Sequence, residues 1–146
     1  MAELQELSNR DCLALLCSGV AGRVAVSTPT GPHIVPVNYS VVDGAIVVRT
    51  APYSLLGTYG RDSMLAFEID GFDAVNHRGW SVQARGRVEA VTDREELAAI
   101  REVAEPQPWA GGGRPLFLRL RWTELTGRKL GSNLDPEPDQ PARTSV

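Results

Sequence analysis

The sequence predicts a mainly β fold, a six-stranded antiparallel barrel, closed or nearly so, with short flanking helices. Six segments alternate apolar or β-branched residues with polar ones, and turn-forming residues separate most of them. At 146 residues and 42% hydrophobic, the chain supplies one core but hardly two. Closure is the expected topology, because it removes the exposed edges of an open sheet, and helices can then plug the ends.

The first element is a helix. Ser8 with Asp11 resembles a capping box, Leu13, Leu15 and Leu16 provide apolar side chains, and Gly19 offers a positive-φ stop near Cys17 or Ser18. Gly22 to Thr28 (GRVAVST) reads as a strand, and Thr28-Pro29-Thr30-Gly31 as a turn. Pro32 to Val42 (PHIVPVNYSVV) returns from it. Asp43-Gly44, a strong hairpin dipeptide, leads into a third strand, Ala45 to Thr50 (AIVVRT). Pro52 to Gly60 reads as a short helix with Pro near its first position, and Met64 to Asp70 (MLAFEID) as a strand. Gly71 to Arg78 is a polar connection, followed by a long strand from Gly79 to Val91 in which Gly86 marks a bulge or bend.

Thr92 and Glu95 open an amphipathic helix with Leu97, Ile100 and Val103 on one face, ending before Pro106. A Pro- and Gly-rich loop from Glu105 to Pro115 precedes the last strand, Leu116 to Leu125 (LFLRLRWTEL). Residues 1–131 thus form one domain. From residue 132 to 146 the chain carries three prolines and three acids with almost no apolar side chains, so burial cannot offset its ordering entropy and the tail is expected to be disordered.

Charge and motifs exclude more than they assign. The formal charge of −3 resides mostly in the tail, which leaves no electrostatic footprint for nucleic acid. Neither a basic leader followed by an apolar stretch nor a run long enough to span a bilayer occurs, so the cytoplasm is the expected compartment. Cys12 and Cys17 lie five apart in one helix, on different faces, which argues against a disulfide. No GxSxG, Walker or HExxH motif is present, and the cysteines lack a second pair for zinc. His33 and His77 stand far apart without an orienting partner, and Gly111-Gly112-Gly113 follows a helix instead of preceding one, unlike a phosphate loop. No catalytic residue and no metal ligand is therefore nominated.

What remains is a series of strand segments: GRVAVS at Gly22 to Ser27, GPHIVPVNYSVVDGAIVVRTAP at Gly31 to Pro52, AFEIDGFD at Ala66 to Asp73 and GWSVQARGRVEAVTD at Gly79 to Asp93. In order and spacing, from about Leu7 to Leu130, the chain resembles the flavin-binding split β-barrels related to pyridoxamine 5′-phosphate oxidase. The resemblance implies a six-stranded antiparallel split barrel, a homodimer, and a flavin lying across the strands at the two-fold interface. Val35, Pro36, Val37 and Asn38 would edge the isoalloxazine and ribityl chain through their backbone. Arg49, Thr50 and Ala51 match the segment approaching the ribityl phosphate, Ser54 matches a hydroxyl donor to it, and Leu55 follows at the phosphate end. Trp80, Ser81 and Val82 match the strand facing the ring. Trp109 and Gly127-Arg128-Lys129 are the candidates for completing the neighbouring subunit's pocket.

Each of these has a simpler reading. Val35 and Val37 suit any barrel core, Arg49 can extend to solvent, and Trp80 is large enough to fill a core or a dimer interface. One departure stands out: members of the resembled family usually place a lysine or arginine directly after the position of Ser54, whereas this chain has Leu55 and Leu56. Arg49 or Arg61 would have to compensate.

The resemblance implies an oxidoreductase that uses FMN, or the related deazaflavin coenzyme, to pass a hydride to or from a small organic substrate. The chemistry then belongs mainly to the cofactor, which accounts for the missing acid/base pair. True pyridoxamine phosphate oxidation is not implied, since LFLRLRWTELTGRKL lacks the arginine-histidine pattern of those enzymes. The alternative is a non-catalytic module that binds or senses a flavin or haem-type ligand.

Overall fold

The computed structural model describes residues 3–131, so the tail expected to be disordered lies outside the described residues. The elements are β1 (Leu4–Glu6), α1 (Asn9–Ser18), β2 (Ala21–Thr28), β3 (Gly31–Val42), β4 (Ala45–Thr50), α2 (Leu55–Tyr59), β5 (Met64–Asp73), β6 (Arg78–Ala90), α3 (Arg94–Ala104) and β7 (Leu116–Leu130). The antiparallel sheet runs β1-β7-β4-β3-β2-β5-β6, and β6 also pairs with β7. The six predicted strands, β2 to β7, therefore close into a ring, as expected. No described helix is long and apolar enough to cross a membrane.

Local chemistry accounts for most joints. Ser8 Oγ accepts the Asp11 amide at 3.1 Å and caps α1. Asp43 and Gly44 both take positive φ, 49° and 71°, the geometry of a primed two-residue hairpin. Gly86 does mark a bulge: the β6–β7 register shifts between Arg85 and Gly86, where a Cβ would strike the Arg121 carbonyl.

Several expectations need correction. Gly19 is extended, with φ −88°, and its missing side chain instead makes room for the Tyr39 ring. Ser54, not Pro52, stands at the head of α2, which is shorter than predicted. Asp93, not Thr92, caps α3, its carboxylate accepting the Glu96 amide at 3.0 Å. On α3 the buried face is Leu97, Ile100 and Ala104, while Val103 is exposed, because i, i+3, i+7 spacing follows the helix surface more closely over two turns. The 71–78 connection shrinks to a turn at 74–77, since β5 continues to Asp73. β7 continues to Leu130, and its overhang recruits β1, with Leu4 opposite Leu130.

The core fills the ring. Leu15, Leu16, Val24, Phe67, Val82 and Leu118 belong to one buried cluster, with Tyr39 edge-on to Phe67 at 4.8 Å. A second, smaller cluster of Val42, Val47, Val91, Ile100 and Phe117 lies under α3. The ring interior leaves about 10 Å³ of free space among Val24, Ile46, Leu56, Phe67 and other apolar residues, too little for more than a single water. Any planar ligand must bind outside the barrel.

Candidate functional site

β3 and β4 pair only from Tyr39↔Val48 to Val42↔Ala45, although β3 runs back to Gly31. From Asn38 to Gly31, β3 pairs with β2 alone. The Tyr39 amide donates to the Val20 carbonyl at 3.1 Å, so odd-numbered residues of β3 exchange hydrogen bonds with the β2 side. By the same alternation, Ile34, Pro36 and Asn38 direct their backbone groups to the open side, and Pro36 stands where its missing N–H leaves no orphan donor. The barrel is split along this edge.

Among the predicted residues, Val35 and Val37 turn inward against the core and offer the split only the backbone of their neighbours. Asn38 turns outward. Its Nδ2 donates to the Val20 carbonyl at 3.3 Å, and its Oδ1 accepts the Trp109 amide at 3.0 Å. Trp109 thus meets a residue of its own chain, with its side chain largely exposed.

Across the split, Thr50 is buried and its Oγ1 lies 2.6 Å from Ser54 Oγ. Ser54 Oγ also donates to the Ala51 carbonyl at 2.8 Å and accepts the Gly57 amide at 2.9 Å, so it serves as the cap of α2. Leu55 is half-buried against the core, and Leu56 is fully buried. Strand alternation sends Arg49 the other way, beside Val47 and beneath α3. There its Nε donates to the Arg114 carbonyl at 3.2 Å, its Nη1 meets Glu105 at 3.1 Å, and the guanidinium lies 5.1 Å from the Phe117 ring. Arg61 Nε donates to the Gly57 carbonyl at 3.0 Å. The hydroxyls and Leu55 are brought together, but Arg49 is committed elsewhere.

On β6, Val82 is core and Trp80 packs partly against it, while Ser81 faces outward between Asp70 of β5 and Arg128 of β7. Lys129 lies opposite Trp80, and β1 places Glu6 beside Arg128. This group lies beyond Ala45↔Arg121, the end of the β4–β7 pairing remote from Thr50 and the split.

Two outward features escaped the sequence reading. Arg23 bridges Asp70 at 2.9 Å and Glu68 at 3.4 Å, next to Pro36 in register. Burial first, then the hydrogen bond and charge of Asp70, push the Glu68 carboxyl up, against the pull of Arg23. The signal was the alternation in AFEID, which puts Glu68 and Asp70 on one face of a strand. The second feature is a depression of about 190 Å³ lined by Ala25, Ser27, Pro32, Met64, Ala66 and Arg85 among others, containing none of the nominated residues. His33 Nε2 lies 3.1 Å from Thr30 Oγ1, and no metal-binding cluster occurs among the described residues.

The sequence pattern of the pyridoxamine 5′-phosphate oxidase family matches residues 8–129. The chain belongs to this family. An uncharacterised Mycobacterium tuberculosis protein, Rv0080, is 33% identical over 133 residues, covering 88% of this chain and 86% of that one. A solved FAD binding protein from Mycobacterium smegmatis is 28% identical, spans 86% of this chain and 98% of its own, and superposes with a TM-score of 0.73. A Corynebacterium glutamicum protein provisionally assigned as a pyridoxamine 5′-phosphate oxidase is 30% identical over 89% of this chain and 96% of its own, with a TM-score of 0.74. In this pyridoxamine 5′-phosphate oxidase family member, Leu55 and Leu56 leave the family's fold intact.

Proposed function

We propose that this chain binds a flavin, FMN or the related deazaflavin coenzyme, along the open edge of β3, and uses it to exchange a hydride with a small organic substrate. The observation that carries the reading is the split itself. Ile34, Pro36 and Asn38 present carbonyls, and Ile34 and Asn38 amides, in a row facing the Thr50–Ser54 bank, a donor and acceptor pattern suited to the polar rim of a tricyclic ring. The FAD-binding relative at 28% identity supports a flavin in general. When bound, the flavin supplies the two-electron chemistry. The chain's part is to hold the ring's rim, exclude water on the packed inner side, and keep a protonatable carboxyl, Glu68, on the outward face near Pro36.

A second copy is part of this proposal. The outward depression beside Ala25, Pro32 and Met64 has about 190 Å³, below the roughly 300 Å³ at which small-molecule pockets begin, so it does not by itself enclose a flavin. Ile34, 71% exposed, and Met64, 50% exposed, flank a shelf of Ala25 and Ala66, an apolar strip suited to a symmetric partner. The substrate-facing cytoplasmic dimer so formed needs no nucleic acid and no membrane.

Titration of purified protein with FMN, FAD, riboflavin and the deazaflavin coenzyme, with sedimentation on the same samples, tests both parts. Saturable binding of at least one, to a dimer, is the expected outcome. Reduction of the bound flavin by a nicotinamide cofactor supports the oxidoreductase, whereas binding without any reducing partner points to a sensing module. Failure of all four flavins to bind refutes the reading.

A further inference from the structure

We propose that the loop from Pro106 to Gly113 is a hinged cover over the split, latched by Asn38 and Arg49, with Trp109 as the residue that closes on the ligand's ring; this rests on the flavin reading above. The loop leaves α3 at Glu105, whose carboxylate meets Arg49 Nη1 at 3.1 Å, and reaches β7 past Arg114, whose carbonyl accepts from Arg49 Nε at 3.2 Å. Between these points the Trp109 amide donates to Asn38 Oδ1 at 3.0 Å. Asn38 and Arg49 are the first residues beyond the last β3–β4 pair, Tyr39↔Val48, so they stand on opposite banks of the split. The loop spans the opening between them.

One end is pinned and the other is free to pivot. Pro106 is fully buried, whereas Gly111, Gly112 and Gly113 have no atom within 4 Å of where a side chain would stand, and Gly112 holds φ +100°. The glycine run that serves no phosphate thus has a use as a hinge. Trp109 sits between pin and hinge with 62% of its surface exposed, a large ring with little to pack against in this arrangement.

The latch also couples to the ligand. Asn38 spends both ends of its amide, Nδ2 on the Val20 carbonyl and Oδ1 on the Trp109 amide. A flavin rim that reaches Asn38 Oδ1 takes the place of the Trp109 amide, and the freed loop can then turn its indole over the ring. Coupling of this kind is reciprocal: loosening the latch favours binding as much as binding loosens the latch.

Stopped-flow binding of FMN, read by flavin fluorescence, tests this in Glu105→Gln, Trp109→Ala and Trp109→Phe variants. Glu105→Gln is expected to raise the association rate by about threefold or more, because it weakens one latch point without moving the fold. Trp109→Ala should raise the dissociation rate about tenfold and restore fluorescence that the stacked indole quenches, with Trp109→Phe between. FMN binding to Glu105→Gln but not to the native chain supports the latch in its strongest form. Equal rates and equal quenching in all three variants overturn the cover and leave the flavin reading standing. Absence of FMN, riboflavin, FAD and deazaflavin-coenzyme binding in every variant overturns both.

Discussion

β6 and β7, of 13 and 15 residues, form a wall that is a continuous ladder, whereas the 12-residue β3 outruns the 6-residue β4 and leaves the split. β6 and β7 pair from Gly79↔Leu130 to Ala90↔Leu118, interrupted by a single bulge. β3 and β4 stop at Tyr39↔Val48. A complete ladder spends its backbone groups on itself and gives a rigid scaffold, whereas an interrupted one leaves donors and acceptors for another molecule. The closed β6–β7 wall holds the ring together while the β3 edge keeps unpaired backbone groups.

The largest expected effect comes from the core that joins the two regions. Phe67 is buried, belongs to β5 and meets Tyr39 of β3 edge-on, so Phe67→Ala should cost about 3–5 kcal/mol through lost contacts and the cavity left behind. Urea unfolding measures it. A loss under about 1 kcal/mol would mean that the ring collapses around the gap and that the split does not depend on the packed interior.

Next come the two leucines at the split's far bank. A lysine at 55, a half-buried position beside Ser54, should tighten FMN about tenfold, about 1.4 kcal/mol, and leave riboflavin unchanged. Leu56 is 1% exposed and lines the barrel interior, so Leu56→Lys should instead destabilise the fold by more than about 3 kcal/mol. Equal FMN affinity in the native chain and Leu55→Lys would show that the phosphate lies elsewhere. Arg49→Ala now carries a different expectation from that of a phosphate ligand, because its guanidinium serves Glu105 and the Arg114 carbonyl.

A smaller effect follows at the C-terminal end of α1. Tyr39 Oη donates to the Leu16 carbonyl at 2.6 Å, and burial, with the nearby Cys17, pushes the phenol pKa well up, so it stays a donor throughout the working range. Tyr39→Phe should cost about 1 kcal/mol by equilibrium unfolding, with flavin binding unaltered.

How much of this was legible depends on what each region shows locally. The six ring strands announce themselves by β-branched alternation, and Asp43-Gly44 fixes one hairpin by its φ angles. β1 could not be read: Leu4, Gln5 and Glu6 are all exposed and pair only because β7 overhangs. The split left one trace, Pro36 inside a β-branched run, since proline in a sheet is confined to an edge. The direction of Arg49 was beyond reach, because it depends on which face of β4 meets α3, and Val47 and Val48 are both apolar.

The smallest effect separates the regions by the sign of a pH dependence. At the tip of the β5–β6 hairpin, hydrogen bonds from the side chain and backbone of Asn76, then from Arg78, hold Asp73 below the ordinary carboxylate range. Its folded value lies under its unfolded one, so its contribution is complete above the unfolded value and is lost as pH falls through the folded one. Glu68, beside the split, is raised, so its contribution is present below the unfolded value and fades as pH rises through the folded one. Both side chains are partly exposed, and each slope should be shallow. Asp73→Asn is expected to lose stability relative to the native chain at neutral pH and to converge with it in acid, whereas Glu68→Gln should gain on it as pH rises above the carboxylate range. Melting temperatures from pH 3 to 8 for the three proteins decide this. Parallel curves would mean that neither carboxylate senses the fold, and a common sign would mean that Arg23, not burial and Asp70, governs Glu68.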